Sequence, residues 1–140
     1  MPAAAIRIVK EDPSTAPRIL ICEDDPLIAL GWSTLLSDMG YKVIGPAYTA
    51  EKALELSYRQ MPDLALIDID LGGIIDGVSV AAELAPLGVP VIFITADYKR
   101  AGIEARNLAT DILIKPVGEV AVLCSVASVL NSRWERKVVG

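Results

Sequence analysis

Five short apolar runs follow one another after Arg18: RILICE, KVIGPA, DLALID, VPVIFIT and DILIK. Each is about the length of a β-strand, and a longer amphipathic stretch separates it from the next. Several of the runs are apolar without alternation, the pattern of strands covered on both faces. Strands alternating with helices of that length predict an α/β domain with a parallel sheet. Right-handed crossovers then place helices on both faces. A hydrophobic content of 53% against 22% charged residues supplies the apolar surface that such doubly covered strands need.

The intervening stretches carry helix signals that can be read residue by residue. Pro26 suits a first helical turn, and Ile28, Trp32, Leu35, Leu36 and Met39 fall on one face before Gly40 ends the helix. Thr49 is the expected N-cap of the second helix, with Ala50, Ala53, Leu54, Ser57 and Tyr58 as its inner stripe. Shorter helices are expected over Asp76 to Leu84 and Asp97 to Leu108. The last helix follows Pro116, with Val120, Leu123, Cys124, Ala127, Leu130 and Trp134 predicted to face inward. Residues 1–17 hold three prolines and little pattern, so they are expected to be a flexible or peripheral extension, with the domain spanning 18–140.

At 140 residues the chain has the length of one domain. Its net charge of −5 argues against a nucleic-acid partner, which would need clustered Lys and Arg. Histidine is absent, which excludes Ser-His-Asp and Cys-His nucleophile systems and the HExxH zinc site. Cys22 sits in an apolar run and Cys124 in a helical pattern, so each is expected to be a core residue rather than half of a disulfide. No apolar run has the length of a membrane span, and a cytoplasmic location is expected.

In a parallel sheet the C-terminal strand ends share one edge, where ligands bind in such folds. The residues that end the runs are Glu23, Asp24 and Asp25 after the first, Asp68 after the third, Thr95 after the fourth and Lys115 after the fifth. One acid at one strand end is usually a turn residue. The joint pattern says more. Converging carboxylates repel unless a cation joins them or one is protonated, and Lys115 offsets a single charge. The remaining charge suits Mg²⁺, which takes one or two carboxylates, several waters and substrate phosphate, and there is no nitrogen or sulfur ligand set for zinc. Such a site can neutralise phosphoryl oxygens while a carboxylate attacks phosphorus in line, and Asp68 is the expected nucleophile.

The segments ILICEDDPLIA, PDLALIDIDL, VIFITAD and ILIKP, in that order, resemble the receiver domain of bacterial two-component response regulators. The resemblance covers residues 18 to about 131 and implies a flavodoxin-like (CheY-like) five-stranded sheet of order 2-1-3-4-5. It implies phosphotransfer onto Asp68 from a histidine kinase or histidine phosphotransfer protein, with Mg²⁺, or Mn²⁺ in its place. Asp24 would ligate the metal directly, Glu23 through water, and Asp70 by its backbone carbonyl. Thr95 would be the switch hydroxyl, Lys115 would pair with the phosphoryl group, and Pro116 would follow a cis bond.

The chain departs from the family pattern at three places. Ile112 occupies a position usually aromatic, Gly72-Gly73 replace a common proline after the nucleophile, and no output domain is expected. A stand-alone receiver is therefore expected to act through a downstream protein or through self-association. A face built from Lys99 and Arg100 on the fourth helix and Val122, Val126 and Val129 on the fifth is the candidate surface, and the alternative for the three valines is a fifth helix buried more fully than most. Three other readings compete. Asp68-Ile69-Asp70 resembles the DxD motif of haloacid dehalogenase-type phosphatases, although that motif ends the first strand of its fold. A receiver-like interaction module without phosphotransfer is the second. The third is a flavin-binding flavodoxin, which wants a phosphate-cradling loop of Ser, Thr and Gly after the first strand, where Glu23-Asp24-Asp25 would repel the phosphate.

Overall fold

A computed structural model describes residues 15–139 apart from Ile74 and Asp97, and the side chains of Arg100 and of residues 133–139 lie outside that description. Of the expected extension over residues 1–17, residues 1–14 also lie outside it, and within the described part Ala16 is buried. The elements alternate along the chain: β1 (Arg18–Cys22), α1 (Pro26–Asp38), β2 (Lys42–Ala47), α2 (Ala50–Arg59), β3 (Leu64–Asp68), α3 (Gly77–Leu84), β4 (Val91–Thr95), α4 (Tyr98–Leu108), β5 (Asp111–Ile114) and α5 (Glu119–Val139). A short 3₁₀ turn, Ala85–Leu87, follows α3. All strand pairs are parallel and the order is β2-β1-β3-β4-β5, the flavodoxin-like arrangement expected.

Successive side chains of a strand point to opposite faces, and the core divides accordingly. On one face Leu20, Cys22, Ala65, Ile67, Val91 and Phe93 pack with residues of α2, α3 and α4. On the other, Ile19, Ile21, Leu64, Leu66, Ile92 and Ile94 pack against Trp32 and Leu36 of α1 and Val122, Val126 and Val129 of α5. β3 and β4 are buried throughout, which is why their sequences read as unbroken apolar runs, whereas the edge strands β2 and β5 are covered only in part.

The helix starts follow the expected chemistry. Asp25 caps α1, its carboxylate accepting from the amides of Leu27 and Ile28, and Pro26 occupies the first turn. Thr49 caps α2 through the Lys52 amide, and Asp76 caps α3 through that of Ser79. Two inner stripes differ from expectation. In α1 Ala29, Trp32 and Leu36 are buried, while Ile28 lies at the surface. In α2 Tyr58 is exposed, and its hydroxyl donates to Glu83 at 3.0 Å across to α3.

The largest correction concerns α5. Val122, Val126 and Val129, expected to form an outer docking stripe, are core residues, whereas Val120 and Cys124, expected inside, are exposed. Both stripes have the i, i+3, i+4, i+7 spacing, so apolar periodicity alone does not set the helix phase. The true inner stripe contains Ser125, whose polarity hid it. Its hydroxyl donates to the Asp111 carboxylate at the start of β5, which makes burial inexpensive. Trp134 lies among the side chains outside the described set.

Candidate functional site

Backbone ladders deliver the chemistry to one edge of the sheet. Cys22 is paired with Ile67, Asp68 with Ile94, and Thr95 with Ile114, so the residues at or just beyond these strand ends stand side by side. The register continues past the strands: Glu23 N–H donates to Ala47 C=O at 2.9 Å, Ile69 N–H to Ile94 C=O at 3.0 Å, and Lys115 N–H to Thr95 C=O at 2.8 Å.

Glu23, Asp24 and Asp68 each present a carboxylate oxygen within 4.8 Å of the others. Glu23 and Asp68 are buried, and Asp24 opens to solvent. The Lys115 ammonium donates to Asp68 Oδ2 at 2.9 Å and to Glu23 Oε1 at 3.2 Å. The second oxygens are held by backbone, Asp68 Oδ1 by the Asp70 amide at 2.9 Å and Glu23 Oε2 by the Asp25 amide at 2.9 Å. Thr95 is fully buried beside this group, and Ile112 packs against the α2–α3–α4 core. The Lys115–Pro116 peptide is cis, and so is Gly45–Pro46.

The electrostatics follow from three acids facing one ammonium. Burial pushes the Glu23 carboxyl up to about 7; hydrogen bonding with Asp24 and the Asp68 charge add to this, against the lowering by the Asp25 amide and Lys115. Burial pulls the Lys115 ammonium down, but Asp68, by hydrogen bond and charge, and Glu23 outweigh it and leave its pKa raised. Burial next to Asp68, Glu23 and Asp24 pushes the Cys22 thiol up to about 12. The donor set is all oxygen and carries more negative charge than Lys115 balances, which fits a hard divalent cation.

Two residues important to this site were not singled out by motif. Gly77 opens α3 directly against the end of β3: a Cβ there would collide with the Asp68 carbonyl oxygen and come within 2.8 Å of Ile67 Cγ2. Only glycine lets α3 start so close to the expected nucleophile. Asp25, grouped with the acids by sequence, serves α1 as its cap, and the Asp-Pro pair was the signal for that role. The proposed docking valines are absent from the surface, and of their charged companions Lys99 is exposed while the Arg100 side chain is outside the described set.

The family model for the response regulator receiver domain matches residues 19–127. The chain belongs to the response regulator receiver family. Among curated proteins it is 33% identical over 108 residues to the transcriptional regulatory protein PdtaR of Mycobacterium tuberculosis, covering 75% of this chain and 52% of that one. It is 35% identical over 117 residues to the phyllosphere-induced regulator PhyR of Methylorubrum extorquens, covering 82% and 44%. The chain thus spans about half the length of these curated relatives. Among solved structures, the CheY-like receiver domain protein from Methanospirillum hungatei superposes with a TM-score of 0.80 at 26% identity, covering 87% of this chain and 99% of that one. The response regulator PhyR from Brucella abortus gives 0.80 at 32% identity, covering 89% and 52%. The receiver family excludes the phosphatase and flavodoxin readings as descriptions of the fold's lineage. Among the described residues no helix is long and apolar enough to cross a membrane.

Proposed function

We propose that this receiver accepts a phosphoryl group on Asp68 from a phosphohistidine donor, a histidine kinase or phosphotransfer protein. The observation that carries the reading is the Lys115 ammonium bridging Asp68 and Glu23 within a three-carboxylate cluster. An Asp68 carboxylate oxygen attacks phosphorus, the P–O bond of an acyl phosphate forms, and the P–N bond to the donor imidazole breaks. The displaced imidazole nitrogen keeps the electron pair of that bond. Lys115 holds the attacking carboxylate in place and offsets charge on the incoming phosphoryl oxygens. Thr95 supplies a hydroxyl to one of those oxygens. Asp24 and Asp68 would ligate Mg²⁺ or Mn²⁺, with Glu23 through water and Asp70 by its backbone carbonyl, and the ion would neutralise phosphoryl charge. Water attack on phosphorus breaks its bond to the Asp68 oxygen and releases inorganic phosphate and the free carboxylate, so the domain resets itself rather than turning over a substrate.

The donor must reach this edge over α1 and the β5–α5 junction. A groove of about 540 Å³ there is lined by Ile28, Trp32, Leu35, Lys115, Pro116 and Val117, and Leu27 and Leu30 stand exposed beside it. An apolar rim next to a charged centre suits a helical donor that presents its phosphohistidine from the middle of the contact. With the valines of α5 in the core, the output surface is rebuilt from the exposed Ile103, Ile114 and Val120 together with Lys99.

Incubation with acetyl phosphate and Mg²⁺ is expected to add the mass of one phosphoryl group, and Asp68→Ala to abolish the gain. A gain that survives the substitution removes Asp68 as the acceptor. Leu30→Asp is expected to slow transfer from a phosphohistidine protein while leaving uptake from acetyl phosphate intact.

A further inference from the structure

α4 is interrupted. Gly102 has φ 72° and ψ 175°, which separates a first segment beginning at Tyr98 from a second running to Leu108. Ala101 and Ala105, one from each side of the break, are buried in the same core and anchor both segments. Arg106 reaches back across the interruption: its Nε donates to the Gly102 carbonyl at 3.1 Å, and its guanidinium lies 5.3 Å from the centre of the Tyr98 ring. Side chains that meet on a continuous helix are three or four residues apart. Residues eight apart lie about 12 Å apart along the axis, with both side chains tilted the same way. The Tyr98–Arg106 contact is therefore available only to the broken helix.

We propose that Arg106 is a latch that holds α4 broken at Gly102 and that is released when a phosphoryl group is bound at the Asp68 site. The trigger rests on the phosphoacceptor reading above; the latch itself does not. Tyr98 begins α4 three residues after Thr95, the residue proposed to follow the phosphoryl group. A displacement of Thr95 toward Asp68 draws the first segment with it, while Ala105 keeps the second in the core. Tyr98 then leaves the guanidinium, and Gly102 can take helical angles and join the segments. The break is set by backbone conformation rather than by crowding, because a Cβ at Gly102 would meet nothing within 4 Å.

Two variants of the full chain test this. Gly102→Ala disfavours the left-handed angle and favours helix, shifting the balance toward the continuous form by about tenfold or more. Arg106→Gln removes the cation over Tyr98 and shifts it by roughly two- to fivefold. The first amides of a helix have no partner within it, so joining the segments gives those of residues 103–105 new acceptors. Hydrogen exchange there is expected to slow in Gly102→Ala by about tenfold without any phosphoryl group. By linkage, both variants are expected to bind beryllofluoride in Mg²⁺ more tightly than the parent chain, Gly102→Ala more than Arg106→Gln. Exchange unchanged in Gly102→Ala overturns the latch. Affinities equal to or weaker than the parent's overturn its coupling to the site. If the parent chain itself fails to bind beryllofluoride, the phosphoacceptor reading and the trigger fall, and the exchange measurement still decides the latch.

Discussion

Cys22 and Cys124 show how far position governs a side chain of fixed chemistry. Cys22 is buried at the end of β1 next to the acid cluster, and burial with the charges of Asp68, Glu23 and Asp24 pushes its thiol up to about 12. Cys124 lies on the outer face of α5. Thiolate is the reactive form, so the two should separate cleanly. A thiol reagent at neutral pH is expected to modify Cys124 alone in the folded chain and both residues in denaturant. Rapid modification of Cys22 in the folded chain would show that β1 opens more readily than its burial implies. The same shift carries a pH dependence. The folded pKa is raised above its ordinary value of 9.0, so the contribution of Cys22 to stability is whole below pH 9 and is lost as pH rises toward 12. Denaturant melts are expected to show the parent chain losing stability over that range faster than Cys22→Ala does.

At the scale of elements, α5 is where reading and structure part. An apolar residue at every third or fourth position identifies a helix, but α5 satisfies that rule in two phases, and the strands it covers select one. Ser125 is legible only once Asp111 is placed opposite it. β3 and β4 were legible outright because central strands need no partner information to read as buried, and Pro26 in the first turn of α1 and Thr49 as the cap of α2 because helix-start signals are local. The break at Gly102 was not, since a lone glycine in a helical pattern is compatible with a continuous helix. The phase of α5 makes a direct prediction. Val126→Ala opens a void beneath the sheet and is expected to cost about 2 kcal/mol, whereas Val120→Ala on the exposed face is expected to stay within about 0.5 kcal/mol. A larger loss for Val120→Ala than for Val126→Ala, measured by chemical denaturation, would return α5 to the phase expected from sequence.

Across the whole molecule, the sheet topology brings residues distant in sequence into a single electrostatic unit. Glu23 and Lys115 are 92 positions apart yet 3.2 Å apart in space. The convergence was legible because parallel strands share an edge; that Lys115 would bridge two of the acids while Asp25 turned away to cap α1 required coordinates. The assembled unit is not neutral, and the fold bears that cost. Burial first, and then Asp24 and Asp68, push the Glu23 carboxyl up to about 7 from an ordinary 4.5, so its ionisation in the folded chain is unfavourable even with Lys115 beside it. The sign follows: the stability associated with protonated Glu23 is fully present below pH 4.5 and is lost as pH rises through 7. A divalent cation that prefers the ionised cluster competes with that proton and binds the folded chain alone, so it stabilises by mass action. Mg²⁺ is therefore expected to raise the melting temperature at pH 8 and progressively less as pH falls below 7. Glu23→Gln is expected to be less sensitive to pH across that window and to gain less from Mg²⁺. A thermal shift with Mg²⁺ that is the same at pH 5.5 and pH 8 would mean that the cation is held elsewhere than among Glu23, Asp24 and Asp68.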